Sequence, residues 1–121
     1  MCMIGKGLRY VDATAIDRRI RAWKVFDLKH GRLHPIIVNR GYVYTPGAWN
    51  QAISARGRGL YKPPFVGTSG FWSFKTRQEA REYARGEHAK YASGKLVVRE
   101  VQLSGWVVEH EIGYRSAYLL S

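Results

Sequence analysis

The chain has 121 residues, 45% of them apolar and 13% aromatic, and a formal net charge of +11. This length makes one domain that buries roughly two-thirds of its unfolded surface, and the composition excludes a disordered tail. The lone cysteine, Cys2, excludes an internal disulfide and a cysteine-based metal site, and no apolar run approaches the ~20 residues that span a bilayer.

Residues 1–21 read as a basic lead-in whose apolar opening is too short for a secretory signal, so a cytoplasmic location is expected. Within it, Asp17-Arg18-Arg19-Ile20-Arg21 is either a short helical turn or an ordered arm. Ala22-Trp23-Lys24-Val25-Phe26 alternates and is followed by His30-Gly31, which predicts a first strand and a turn. Pro35-Ile36-Ile37-Val38 is an apolar run expected to pair with it. A turn at Asn39-Arg40-Gly41 then leads to a short extended piece, Tyr42-Val43-Tyr44.

Thr45-Pro46 has the form of a helix start, a capping hydroxyl followed by a proline that needs no donor. Trp49, Ala52 and Ile53 then share one helical face. A loop of about 15 residues follows to Gly70, long for a compact domain and typical of functional loops. Gly70-Phe71-Trp72-Ser73-Phe74 predicts a buried strand. Thr76-Arg77-Gln78-Glu79 is a capping box that opens a helix with Ala80, Tyr83 and Ala84 inward, interrupted at Gly86 and finished by Ser93-Gly94. Lys95–Leu103 and Trp106–Glu111 read as two strands joined by a Ser104-Gly105 hairpin, and Gly113 turns the chain into Tyr114–Leu120. The sum is α+β: a twisted, largely antiparallel sheet with two short helices, in a single domain over residues 22–121.

The charge is unevenly placed. Residues 1–70 hold twelve Lys/Arg against three Asp/Glu, a formal +9, whereas residues 71–121 hold eight against six. Such asymmetry points to a polyanionic partner. Two clusters carry it. Arg18, Arg19, Arg21 and Lys24 can lie along a phosphate backbone or an acidic protein face. Arg56-Gly57-Arg58-Gly59 with Tyr61-Lys62 joins phosphate-pairing cations to an aromatic able to stack on a base, in a stretch without acidic residues. The alternative for both is ordinary solvated basic surface. The four tryptophans, Trp23, Trp49, Trp72 and Trp106, are expected mainly in the core, with one left to line a surface groove. The four histidines lack metal-ligand spacing, so no metal is expected.

Residues 70–121 resemble a family of short phage and mobile-element proteins. The resemblance rests on Gly70-Phe71-Trp72-Ser73-Phe74, Ala80-Arg81-Glu82-Tyr83, the valine strand Lys95–Leu103 and the block from Gly105 to Arg115; Trp23-Lys24-Val25 near the start also fits. That family often has His where this chain has Trp72, so no role passes to that position. Taken with the basic first half, the resemblance leads to the expectation of a small phage or mobile-element binding protein without a cofactor that acts on nucleic acid or a nucleoprotein complex. Inhibition of a host defence system, as by an anti-CRISPR protein, is the setting it suggests.

The same order of elements is similar to the minimal ADP-ribosyltransferase core, through Gly70-Phe71-Trp72, Val97–Gly105 and the Glu-x-Glu spacing of Glu109-His110-Glu111. That likeness implies an NAD-using enzyme with Glu109 or Glu111 at the chemistry. The chain departs from it in lacking a His-Gly-Thr-like motif on the first strand and a nicotinamide-contacting Tyr at Trp72. On residues alone, Glu109 and Glu111 share one face of a strand with His110 opposite, which equally describes a charged edge strand. A third expectation is a protein-only inhibitor of an acidic host protein.

Overall fold

Alternation around Ala22–Phe26 becomes a ten-residue strand in the computed structural model, which describes residues 9–13, 19–36, 42–52, 70–86, 89–90 and 92–121. In chain order the elements are β1 (Arg9–Ala13), β2 (Ile20–Lys29), β3 (Arg32–His34), β4 (Trp49–Gln51), β5 (Phe71–Phe74), α1 (Arg77–Arg85), β6 (Lys95–Glu109) and β7 (Gly113–Leu120). Among the described residues the fold is a mostly antiparallel sheet with one α-helix, in a small single domain. Among the described residues no helix is long and apolar enough to cross a membrane.

The strands run β1-β6-β2-β5-β7-β4, with β3 beside β2 and a further pairing of β6 with β7. Because β6 pairs with both β2 and β7, and β5 pairs with both as well, these four strands close a ring. Ala22 and Phe26 of β2, Val101, Leu103 and Val107 of β6, and Leu119 of β7 form its core, with Leu33 and Tyr44. The Tyr44 ring meets Phe26 edge-on at 5.0 Å and Phe71 at 5.5 Å. The β2–β5 seam is thin, a single pair between Trp23 and Phe74. The buried Lys24 reinforces it, its Nζ donating to the Trp72 carbonyl across the seam, while on the other side of β5 the half-buried Arg115 of β7 donates from Nη1 to the Gly70 carbonyl at 3.0 Å.

On the opposite face of β2, Val25 packs with Phe74, Leu96 and Val98 beneath Ala80, Tyr83 and Ala84 of α1. The predicted capping box is present: Thr76 Oγ1 accepts from the Glu79 amide at 3.2 Å and donates to the Glu79 carboxylate at 2.8 Å. The His30-Gly31 turn is present too, with both residues at positive φ (52° and 74°) between the paired Lys29 and Arg32.

Three expectations fail. The helix predicted from Thr45-Pro46 is replaced by a turn and by β4, paired with β7 through Trp49↔Leu120 and Gln51↔Tyr118. The buried Asn50 side chain explains it. Its Oδ1 accepts from the Thr45 amide at 2.9 Å, and its Nδ2 donates to the carbonyls of Thr45, Ala48 and Leu119. These bonds occupy the backbone groups that a helical first turn would have used. One α-helix is therefore present among the described residues where two were expected.

Second, no hairpin forms at Ser104-Gly105. β6 runs through it for 15 residues, and its register against β7 shifts between Ser104 and Val107. Gly105 sits at φ +76°, where a Cβ would stand 2.7 Å from the Tyr118 ring, so this glycine makes a bulge that bends one strand. The hairpin lies one segment later, where the His110 amide donates to the Gly113 carbonyl at 2.8 Å.

Third, Arg32–His34 is a strand beside β2, whereas Pro35, which lacks the ladder donor, and Ile36 lie outside the ladders; Ile37 and Val38 of the expected run, with the turn at Asn39-Arg40-Gly41, lie outside the described residues. Tyr42–Tyr44 stays outside the ladders, although the Tyr44 amide donates to the Leu33 carbonyl at 3.0 Å. The lead-in also contributes to the sheet. Arg9–Ala13 pairs with Gly105–Glu109, and Ile20 and Arg21 belong to β2 rather than to a helical turn.

Candidate nucleic-acid interface

Odd-numbered residues of β2 point to the face that α1 covers at Val25. Towards the start of the strand α1 no longer reaches, and this face is open at Arg19 and Arg21. Pairing extends it across four strands in one row, Arg21↔Gln102, Gln102↔Leu120 and Leu120↔Trp49. The next row adds Ser104, Tyr118 and Gln51. Trp49 is the most exposed of the described tryptophans, at 39%.

Each arginine lies on an indole. The Arg19 guanidinium is 5.4 Å from the Trp49 ring centre, and that of Arg21 is 5.1 Å from Trp23. Arg19 Nη1 also donates to Gln102 Oε1 at 3.3 Å, and Gln51 Nε2 to the Tyr118 hydroxyl at 3.4 Å. Both bonds are long, so these side chains exchange partners at little cost. Arg21 is held by Glu100 through two bonds of 2.8 and 2.9 Å, but this pair is open to water and worth little to stability. The geometry provides two cations on aromatic rings, neutral amides and hydroxyls between them, and one carboxylate at the rim.

Of the residues expected to bind a polyanion, the structure brings Arg19 and Arg21 onto this face. Arg18, Arg56, Arg58, Tyr61 and Lys62 lie outside the described residues. The segment that holds the last four leaves from the strand bearing Trp49: Ala52 donates to the Ala117 carbonyl at 2.8 Å, and Phe71 returns opposite Ser116.

Lys24 does not belong to the basic surface. It shares the inward face of β2 with Ala22 and Phe26, 5.9 Å from the centres of the Phe26 and Tyr44 rings. Burial, with a smaller contribution from the Arg115 guanidinium, lowers its pKa to about 7. Strand parity was the signal that separates it from Arg21. The tryptophans are likewise marginal to the core: Trp49 is exposed, and Trp23, Trp72 and Trp106 are half-buried.

Contrary to expectation, Glu109 and Glu111 do not share one face of a strand. β6 ends at Glu109, whose carboxylate meets Lys75 Nζ at 2.9 Å, while Glu111 is exposed on the turn before β7. His110, between them, packs edge-on against Trp72 at 5.8 Å. Among the described residues no three His, Cys, Asp or Glu side chains are grouped to hold a metal ion. Comparison of the chain with protein-family models, with curated proteins and with solved structures gave no significant match.

Proposed function

We propose that this chain is a small basic nucleic-acid-binding protein that holds its partner on the open sheet face around Arg19, Arg21 and Trp49. The supporting observation is the placement of two arginines, Arg19 just before β2 and Arg21 within it, each over an indole, on the face α1 leaves uncovered. Arginine serves phosphate, the rings serve bases, and a net charge of +11 draws the polyanion in. A phage or mobile-element protein acting on a host nucleoprotein complex, in an anti-CRISPR-like role, is the setting that the resemblance of residues 70–121 favours. An ADP-ribosyltransferase-like fold using NAD is the lesser proposal, because Glu109 is engaged by Lys75 and Glu111 projects from a turn.

Fluorescence anisotropy with labelled RNA, single-stranded DNA and duplex DNA across a salt series tests the main proposal. Log affinity is expected to fall linearly with log salt. The Arg19→Ala/Arg21→Ala variant should lower the slope by roughly 1.4–1.8, the sum of two phosphate contacts. No binding at low salt, or an unchanged slope in the double variant, contradicts it. The first of these outcomes moves the search to an acidic protein partner.

A further inference from the structure

We infer that the nucleic acid this face takes is single-stranded, with a base stacked on Trp49 and neighbouring phosphates on Arg19 and Arg21. The inference rests on the proposed function and narrows its ligand. In a duplex both faces of every base are already stacked on neighbours, so an indole standing on a sheet surface gains nothing from it. An unpaired base has a free π-face, and every base has one. Trp49 offers such a ring on an exposed strand, next to side chains that can donate to or accept from a base edge: Gln51, Gln102 and the Tyr118 hydroxyl.

Arg19 now covers the Trp49 ring, a weak contact at an exposed site, which an incoming base can replace while the guanidinium moves to phosphate. The competing surface is α1, where Arg77, Arg81 and Arg85 are exposed at four-residue spacing. That stripe carries cations alone, with Glu79 and Glu82 on the same helix, and suits a duplex backbone better than an unpaired base. Glu100 is an unfavourable group on the sheet face, since its carboxylate repels phosphate and occupies Arg21.

The test compares a labelled ten-nucleotide oligo-dT, the matching oligo-rU and a ten-base-pair duplex, against wild type, Trp49→Leu, Glu100→Gln and Arg81→Ala. Both single strands are expected to bind at least tenfold tighter than the duplex. Trp49→Leu should weaken single-strand binding by about five- to a hundredfold, the range for one stacked base, with the salt slope unchanged. Glu100→Gln should tighten it several-fold, and Arg81→Ala should leave it as it was. Equal affinity for duplex and single strand, or single-strand binding indifferent to Trp49→Leu, overturns the inference and leaves nucleic-acid binding in place. Failure to bind all three probes removes the proposed function itself.

Discussion

Replacing Lys24 by Met is expected to stabilise the fold at pH 6, by roughly 1–3 kcal/mol, and to abolish the pH dependence that Lys24 gives the parent protein on this account. In the folded chain the Lys24 ammonium is buried against Phe26 and Tyr44, near Arg115, and its pKa drops from 10.5 to about 7. Unfolding returns it to the ordinary lysine value. Between about pH 7 and 10.5 the unfolded chain therefore holds a proton that the folded chain has lost, so stability rises with pH across that window and is flat below it. At about 1.4 kcal/mol per pKa unit the span is several kcal/mol.

Met fills a similar volume without a charge, but leaves the Trp72 carbonyl without its donor, at a cost of about 1–3 kcal/mol. The advantage of the variant should thus shrink as pH rises and reverse near pH 10, where the neutral amine still donates to that carbonyl. Tyr44, whose pKa burial raises, lowers the stability of both proteins alike as pH passes about 10, where the unfolded phenol ionises, and so cancels in the difference between them. Urea unfolding of both proteins at pH 6, 8 and 10 measures the difference. A variant less stable than the parent at pH 6, or a difference constant across the three values, contradicts this account of Lys24.

Asp27→Ala is expected to cost about 2–4 kcal/mol, since hydrogen bonds to a charged acceptor are worth about 1.5–3 kcal/mol each. The carboxylate is 1% exposed and accepts from the amides of Ser93 at 3.1 Å and Gly94 at 2.9 Å, with the Lys29 ammonium 3.8 Å away. It fastens the start of β6 to β2 across 66 residues of chain. The approach is so close that a Cβ on Gly94 would collide with the Leu28 carbonyl, so alanine there should also be severely destabilising. Asp27→Asn, which keeps one acceptor oxygen, should fall between parent and Ala. Denaturant midpoints, with hydrogen exchange at the Ser93 and Gly94 amides, report both the loss and its location. A change below about 0.5 kcal/mol in Asp27→Ala would show that the β6 start is held by something else.

The parts of the fold legible in sequence are those whose signals act over a few residues. The Thr76–Glu79 capping box, the strand Phe71–Phe74 and the His30-Gly31 turn all carry their chemistry locally. β4 was illegible because its partner strand is remote: Trp49 and Gln51 pair with Leu120 and Tyr118, and Asn50 reaches the Leu119 carbonyl 69 residues away. Ser104-Gly105 has the composition of a hairpin turn and of a bulge alike. The choice was made by β1 and β7, which together pair β6 on both sides of the bend.

The candidate site divides in the same way. Arg19 and Arg21 could be found as charge. Trp49 could not, because on the expected helix it counted as core; only its pairing with Leu120 sets it beside them. Lys24 was grouped with the surface cations by its charge, although alternation from Ala22 to Phe26 already put it on the inward side.

The most direct test of the sheet face as the binding surface is an amide chemical-shift titration of the labelled protein with the ten-nucleotide oligo-dT. The account predicts perturbations concentrated at residues 19–23, 49–51, 102–104 and 118–120, four segments that are distant in sequence and adjacent only on this face. Perturbations centred on α1 or on the 110–112 turn, with those four segments unmoved, would contradict it.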